Sequence, residues 1–311
     1  MKKPVPYVND EVASRDFKYY IFDWDDNILH MPTKIRMEHL EENGEWIPVE
    51  VSTATFAMIR TDTAHYRPPS DGGWGAAFSN FEDHPDSNNF LEDTVKALER
   101  VEAGEKPGPS FNALRKTLRE GRIFAIVTAR GHSPQTIEQA VRLFIARALT
   151  EDERHEMLSN LRGYRRHIDG VKDEDFGTDG EELDFYLSMC RYSAVTNPSF
   201  RERMVKDPIY QERLQTAPNS SRPELAKEFA IRDFVEHIFH MLRRNGTMDR
   251  PVSIGFSDDD KGNVKTVSSY IRQELSKRFE GSKFVVYDTS DRTLSKGRKV
   301  CVSGQLNLPG F

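Results

Sequence analysis

A short run of β-favouring residues that ends on acid constrains this chain more than any other feature. Phe17 to Phe22 lead into Asp23, Asp25 and Asp26, three carboxylates within four positions. An apolar run bounded in this way reads as a strand buried on both faces of a parallel sheet. In such sheets chemistry collects at the carboxyl ends of the strands, where Asp23 and Asp25 fall. Carboxylates this close repel unless a proton or a cation lies between them. The pattern predicts a bound divalent ion, and ligands that are all oxygen suit Mg²⁺. A lone D-x-D pair after a strand is more often an acidic turn, so the reading rests on partners elsewhere.

Those partners follow in order. Ser110 is placed to cap a helix bearing Phe111, Leu114 and Leu118 and closed by Gly121. Arg122 to Thr128 reads as a second buried strand that ends in a hydroxyl. The turn Ala129-Arg130-Gly131-His132 follows, and Ser133-Pro134 opens a helix striped by Ile137, Val141, Phe144 and Ala148. Asp184 to Val195 reads as a third strand, with Cys190 as a small buried hydrophobe. From Pro223 a long helix carries Lys227 in its first turn, then Ile231, Phe234, Val235, Ile238 and Leu242. Pro251 to Phe256 reads as a fourth strand, running into Ser257, Asp258, Asp259 and Asp260. A helix striped by Val264, Val267, Ile271 and Leu275, a fifth strand at Lys283 to Tyr287, and a polar, extended tail from Ser290 complete the pattern.

Two stretches interrupt this alternation. Residues 31–107 read as an insertion over the first strand end. They contain a hairpin at Asn43-Gly44, a short helix capped by Ser52 or Thr53, and a long irregular stretch with Tyr66, Trp74 and Phe78. Those aromatics read either as a substrate-facing surface or as the insertion's own small core. Residues 150–183 form a charged insertion whose basic run, Arg162 to His167, reads first as a solvated helix face. An acidic stretch from Asp175 has Gly180 in the sixth place of a calcium loop but Tyr186 in the twelfth, which rules out an EF-hand.

Composition narrows the classes further. A net charge of −6 over 311 residues argues against binding nucleic acid by charge alone. Two cysteines, Cys190 and Cys301, are too few for a disulfide framework. Lys2 and Lys3 run into Pro4-Val5-Pro6 and not an apolar core, so a signal peptide is not expected. No apolar run approaches the about 18 residues of a membrane span. The expectation is a cytoplasmic protein without a membrane partner.

The strand ends thus supply Asp23 and Asp25, Thr128, and Asp258 with Asp259, and a helix supplies Lys227. Phosphoryl transfer needs charge neutralisation and positioning above all, and this set offers a carboxylate nucleophile, a second carboxyl, a hydroxyl and an ammonium. The chain resembles the haloacid dehalogenase (HAD) superfamily of phosphatases. Phe22-Asp23-Trp24-Asp25-Asp26-Asn27 is similar to its first motif, with Asn27 where Thr or Val is usual. Ile126-Val127-Thr128 with Ala129-Arg130 is similar to its second, Lys227 is the best-placed third-motif lysine, and Asp258, Asp259 and Asn263 match a paired-Asp variant of the fourth.

The resemblance implies an α/β fold, a doubly wound, mainly parallel five-stranded Rossmann-like core. Residues 1–30 and 108–311 would form that core and 31–107 an inserted cap. It implies a Mg²⁺-dependent phosphatase working through an aspartyl-phosphate on a phosphorylated substrate, expected to be a small molecule. Asp23 would be the nucleophile and Asp25 the general acid/base. Thr128, Arg130 and Lys227 would bind phosphate, and Asp23, the Asp25 carbonyl, Asp258 and Asp259 would hold the metal. A commoner register of the fourth motif would use Asp260 instead. Three other readings stand beside this one. A receiver-type phosphoacceptor switch lacks an acid at the position of Asp25. A HAD-like protein could bind a phospho-ligand without turnover. A polynucleotide end-phosphatase would meet nucleic acid through Arg162 to Arg166.

Overall fold

The structure, a computed structural model, describes residues 7–84, 89–216, 222–291, 293–294 and 296–304. A 3₁₀ turn, Asp10–Ser14, precedes β1 (Phe17–Phe22). The stretch after it holds β2 (Ile35–Leu40), β3 (Trp46–Val51), α1 (Thr53–Ile59), β4 (Tyr66–Arg67) and α2 (Gly73–Ala77). Next come α3 (Asn89–Glu102), α4 (Phe111–Arg119), β5 (Phe124–Thr128), α5 (Pro134–Ala148), α6 (Glu151–Ile168), α7 (Asp179–Met189) and β6 (Arg191–Ala194). The chain closes with α8 (Pro198–Lys206), α9 (Pro208–Thr216), α10 (Arg222–Arg244), β7 (Val252–Asp258), α11 (Lys261–Tyr270), β8 (Ser282–Asp288) and β9 (Arg298–Ser303). Among the described residues no helix is long and apolar enough to cross a membrane.

The main sheet has six strands in the order β6-β5-β1-β7-β8-β9, parallel except for β9. Side chains alternate across a strand, so β1 feeds both faces. Tyr19 and Ile21 join Val127, Phe234 and Phe256 on one side, and Phe22 joins Phe124, Ile126 and Phe144 on the other. Helices therefore cover both faces, α4 to α7 on one and α8 to α11 on the other. This is the doubly wound α/β layout expected from alternating strand and helix patterns.

Two expected elements differ. Asp184 to Val195 is not one strand: α7 runs through Met189, and only Arg191–Ala194 pairs with β5. Thr178 and Glu181 form a capping box that starts this helix. Leu183, Tyr186, Leu187 and Cys190 recur at helical spacing and face the core together. The polar tail also contributes a strand. Cys301 packs beside Val286 as β9 runs antiparallel to β8, making six strands where five were expected.

The stretch after β1 forms a second, three-stranded antiparallel sheet, β3-β2-β4, with α1 and α2. Its hairpin turns at Asn43-Gly44 as expected, with Gly44 at φ +84°. Ile35, Met37, Ala77 and Phe81 form its small core, with Phe56, Tyr66 and Phe78 packed against it. Helix α3 lies in the same stretch of sequence but packs elsewhere. Its Phe90, Ala97 and Leu98 share the main core with Trp24 and Phe144.

Candidate functional site

Register brings the acids together. Phe22 pairs with Ser257 across β1 and β7, so the next residue of each strand, Asp23 and Asp258, end at the same height. The turn after β1 is tight: Asp26 N–H donates to Leu29 O at 2.8 Å, and Asp26 has φ +56°. Asn27 ties the strand ends together. Its amide donates to the carbonyls of Asp23 (2.9 Å) and Ser257 (3.2 Å), and its Oδ1 accepts from Thr289 Oγ1 at 2.8 Å. A hydroxyl or a Val side chain could not bridge three strands in this way. Gly108 lets the returning chain lie against this turn, because a Cβ there would sit 2.5 Å from Asn27 O.

Lys227 Nζ lies 3.0 Å from Asp23 Oδ1 and 2.6 Å from Asp258 Oδ2, and all three side chains are buried. The lysine sits in the second turn of α10, which begins at Arg222, and not in the first. Asp258 Oδ1 also accepts from Asp260 N–H at 2.9 Å, and the Asn263 amide lies 3.2 Å from both of its oxygens. Burial raises the Asp23 carboxyl well above the usual range, and the charges of Asp258 and Asp25 add to this against the pull of Lys227. Asp259 is raised in the same way, first by burial and then by Asp23, Asp258 and Asp26. Burial alone would depress the Lys227 ammonium, but Asp23 and Asp258 hold its pKa above the ordinary value.

One ammonium thus faces three crowded carboxylates. The donors are hard oxygens, and burial together with neighbouring charge raises the proton affinity of Asp23 and Asp259, a combination that suits a small divalent cation. Among the described residues no group of three His, Cys, Asp or Glu side chains is arranged as a ready metal cage. A cation here would rely on fewer side chains, supplemented by backbone carbonyl or water oxygens.

Thr128 closes β5, with Oγ1 3.4 Å from Asp25 Oδ2. Arg130 has two of its three side-chain nitrogens engaged, while Nη1 is buried without a hydrogen-bond partner among the described residues. It grips Asp25 with both arms, Nε to Oδ2 at 2.8 Å and Nη2 to Oδ1 at 2.7 Å, and Nη2 also donates to Thr33 Oγ1 at 2.8 Å. Its guanidinium lies against Phe81 (4.5 Å) and Phe90 (4.7 Å) and is 1% exposed. A bidentate arginine is a strong orienting contact. It fixes Asp25 as a hydrogen-bond acceptor in this state.

Beside it His132 stacks on Phe90 with centroids 4.9 Å apart, and neither ring nitrogen has a hydrogen-bond partner among the described residues. Burial lowers its pKa to about 4, and Arg130 adds repulsion. A group whose folded pKa is depressed contributes stability that is present above about pH 6.5 and lost as pH falls toward 4. Acid should therefore remove roughly 3 kcal/mol through this one residue. His132→Phe keeps the stack and removes the titration, so its acid-unfolding midpoint, followed by circular dichroism, is expected to lie at lower pH than that of the wild type. Coincident midpoints would show that His132 is not buried as a neutral ring.

Helix α1 contacts the loops at the strand ends. Thr53 Oγ1 at the start of α1 donates to Asp26 Oδ2 at 2.7 Å, and Arg60 just past its end pairs with Asp260 Oδ2 at 3.1 Å. Thus α1 touches the acidic loops of both β1 and β7. No sequence signal marks Thr53 or Arg60 for this position. Tyr66 is half-buried, and Trp74, although half-exposed, stacks on Phe78, so both belong to the cap's own packing. The segment after α2 is pinned to the start of α5: Gly131 N–H donates to Phe81 O at 2.8 Å, and Asp83 accepts from Ser133 N–H at 2.7 Å. Ser110 precedes α4 as expected, but its hydroxyl donates to Ser257 Oγ at 3.0 Å and does not cap the helix.

The basic run on α6 is occupied by acids. Arg162 pairs with Asp179, Arg165 with Glu182, and Arg166 with both Asp10 and Asp173. Comparison of the chain with known protein families, with curated proteins and with solved structures gives no match.

Proposed function

We propose that this protein is a Mg²⁺-dependent phosphohydrolase of the HAD type, acting on a phosphomonoester through an aspartyl-phosphate. The observation that carries the reading is the buried set Asp23, Lys227 and Asp258 at adjoining strand ends, with the half-buried Asp259 beside it and Asp25 and Thr128 on the neighbouring side. Mg²⁺, held by carboxylates from among Asp23, Asp258 and Asp259 together with the Asp25 carbonyl and water oxygens, would offset the repulsion between the carboxylate and a phosphate dianion.

The chain's own residues account for the remaining steps. Asp23 forms a bond to phosphorus as the bond to the leaving alcohol oxygen breaks, and Asp25 gives that oxygen its proton. Asp25 then takes a proton from water as the water oxygen attacks phosphorus and the Asp23–phosphorus bond breaks, releasing inorganic phosphate. Lys227 and the Thr128 hydroxyl would hold non-bridging oxygens. The grip of Arg130 suits the acceptor role of Asp25 in the second step. To act as an acid Asp25 must be released from one arm of Arg130. Arg130 packs against Phe81 of the cap, which links cap position to that change. The ion-paired state of Arg162 to Arg166 gives the polynucleotide reading no free basic surface there, so a small phosphorylated molecule is the favoured substrate.

Inorganic phosphate release from a panel of sugar, nucleotide and aryl phosphates, with and without Mg²⁺, tests this reading directly, and no metal-dependent release from any of them would count against it. The same assay separates two registers of the fourth motif. Asp260 Oδ1 caps α11 through Gly262 N–H at 2.6 Å, and its Oδ2 holds Arg60, so its role is structural. Asp259→Asn is expected to weaken apparent Mg²⁺ affinity about tenfold or more, with partial rescue by excess metal, while Asp260→Asn stays near wild type. The reverse order would assign the metal to Asp260.

A further inference from the structure

Among the described residues the Arg130 guanidinium has one hydrogen-bond partner besides Asp25, and that partner is Thr33. Nη2 carries two hydrogens. One goes to Asp25 Oδ1 and the other to Thr33 Oγ1, at 2.7 and 2.8 Å. Thr33 is itself fixed: it is buried, and its Oγ1 lies 2.6 Å from Asp93 Oδ2. A hydroxyl has a single proton and a carboxylate can only accept. That proton therefore goes to Asp93, and the lone pairs of Oγ1 are left to the guanidinium. Asp93 stands on α3, whose Phe90, Ala97 and Leu98 are seated in the main core. A chain of contacts thus runs from a core helix through Thr33 and Arg130 to Asp25.

The reaction set out above asks Asp25 to give up a proton and to take one back. Each change alters its hold on Arg130, because a neutral carboxyl accepts a hydrogen bond more weakly than a carboxylate does. The Phe81 and Phe90 rings confine the guanidinium by contact. Hydrogen bonds, being directional, decide which edge it turns toward Asp25. While Asp25 is neutral, the anchor that keeps this direction must be a group whose charge does not change in the cycle. Thr33 is that group.

We propose that Thr33 and Asp93 are positioning residues for Asp25, acting through Arg130, so that the same edge of the guanidinium meets the carboxyl after each proton transfer. The inference rests on the phosphohydrolase reading.

The test compares kcat/KM, which reports the steps up to loss of the leaving group, for an alkyl phosphate and for p-nitrophenyl phosphate. The alkoxide needs a proton from Asp25 to leave, and the nitrophenolate does not. Thr33→Val removes the hydroxyl and is expected to lower the alkyl phosphate value about tenfold to a hundredfold, leaving the aryl phosphate value near wild type. Thr33→Ser returns the hydroxyl and is expected to restore the alkyl phosphate value. If Thr33→Val does not fold, Asp93→Ala, which frees the Thr33 proton to turn away, is expected to show the same selective loss. A second reading needs no turnover. In proton–nitrogen NMR of the full chain with labelled arginine, the Arg130 Nε–H signal, assigned by its loss in Arg130→Lys, is expected to exchange with solvent at least about tenfold faster in Thr33→Val than in the wild type. Equal losses on the two substrates, no loss on either, no restoration by Thr33→Ser, or unchanged exchange would overturn the positioning role. A wild type that releases phosphate from no substrate would instead overturn the phosphohydrolase reading and the catalytic part of this role with it, and the exchange rates would still decide whether Thr33 anchors Arg130.

Discussion

Asp23→Asn is expected to lower Mg²⁺-dependent phosphate release by at least about a thousandfold, because removing a covalent nucleophile removes a whole step and not one contact. Asn keeps the shape of Asp, so Lys227 retains Asp258 at 2.6 Å and the strand ends stay in register. The wild-type carboxyl is raised far above its ordinary range by burial and by Asp258 and Asp25. A neutral amide at this position therefore spares the fold a crowded charge, and thermal stability should hold or rise. Rapid-quench kinetics with mass spectrometry should show a phosphorylated wild-type chain and none in the variant. Full turnover by a folded Asp23→Asn protein would remove Asp23 from the nucleophile's role.

Lys227→Met is the second large effect, and it falls on stability as well as activity. The ammonium is the shared partner of Asp23 and Asp258, all three being buried. Breaking a buried ion pair from one side strands the opposite charge and costs about 3–5 kcal/mol. The cost should depend on pH with a definite sign. A carboxyl whose folded pKa is raised contributes stability that is present below its unfolded value and lost as pH rises through the folded value. Asp23 and Asp259 are already raised in the wild type, and removing Lys227 takes away the charge that opposes this. In the wild type these carboxyls ionise near pH 8 to 9, so the deficit of the variant should grow as pH rises through that range, as read from urea midpoints below and above it. A deficit that does not change with pH would mean that Lys227 does not neutralise these carboxylates.

The two effects separate the two parts of the site. Asp23→Asn removes chemistry and spares the fold, whereas Lys227→Met disturbs the electrostatic balance on which both depend. Arg130 belongs to neither part. Its side chain holds Asp25, Thr33 and two aromatic rings, so in the proposed reaction it would act through the orientation of Asp25.

Much of this was legible in the chain because it is local. Phe17 to Phe22 had to be a buried strand, since a hydrophobic run of that length with no polar face cannot sit at a surface. Asn43-Gly44 had to turn a hairpin, since only such residues accept left-handed φ cheaply. Ser133-Pro134 and the stripe behind it declared a helix for the same local reasons. The strands ending in Asp23, Thr128 and Asp258 were each visible in isolation, and a parallel sheet brings such ends to one edge.

What only the tertiary structure decided lies in contacts between residues far apart in sequence. The grip of Arg130 on Asp25 spans 105 positions, and the bond from Asn27 to Ser257 spans 230. No periodicity encodes either one, because a side chain's choice among several nearby partners depends on packing. The same holds for Thr53 and Arg60, two unremarkable residues that the cap sheet happens to place over Asp26 and Asp260. Asp184 to Val195 was misread because an apolar run flanking a short strand fits helix and strand alike, and the capping box at Thr178 with the packing of Tyr186 and Leu187 resolved it as helix. The chain by itself determined which residues reach the edge of the sheet. Packing across that edge determined which of them hold one another, because Coulomb and hydrogen-bond energies depend on distances that only the assembled strands set.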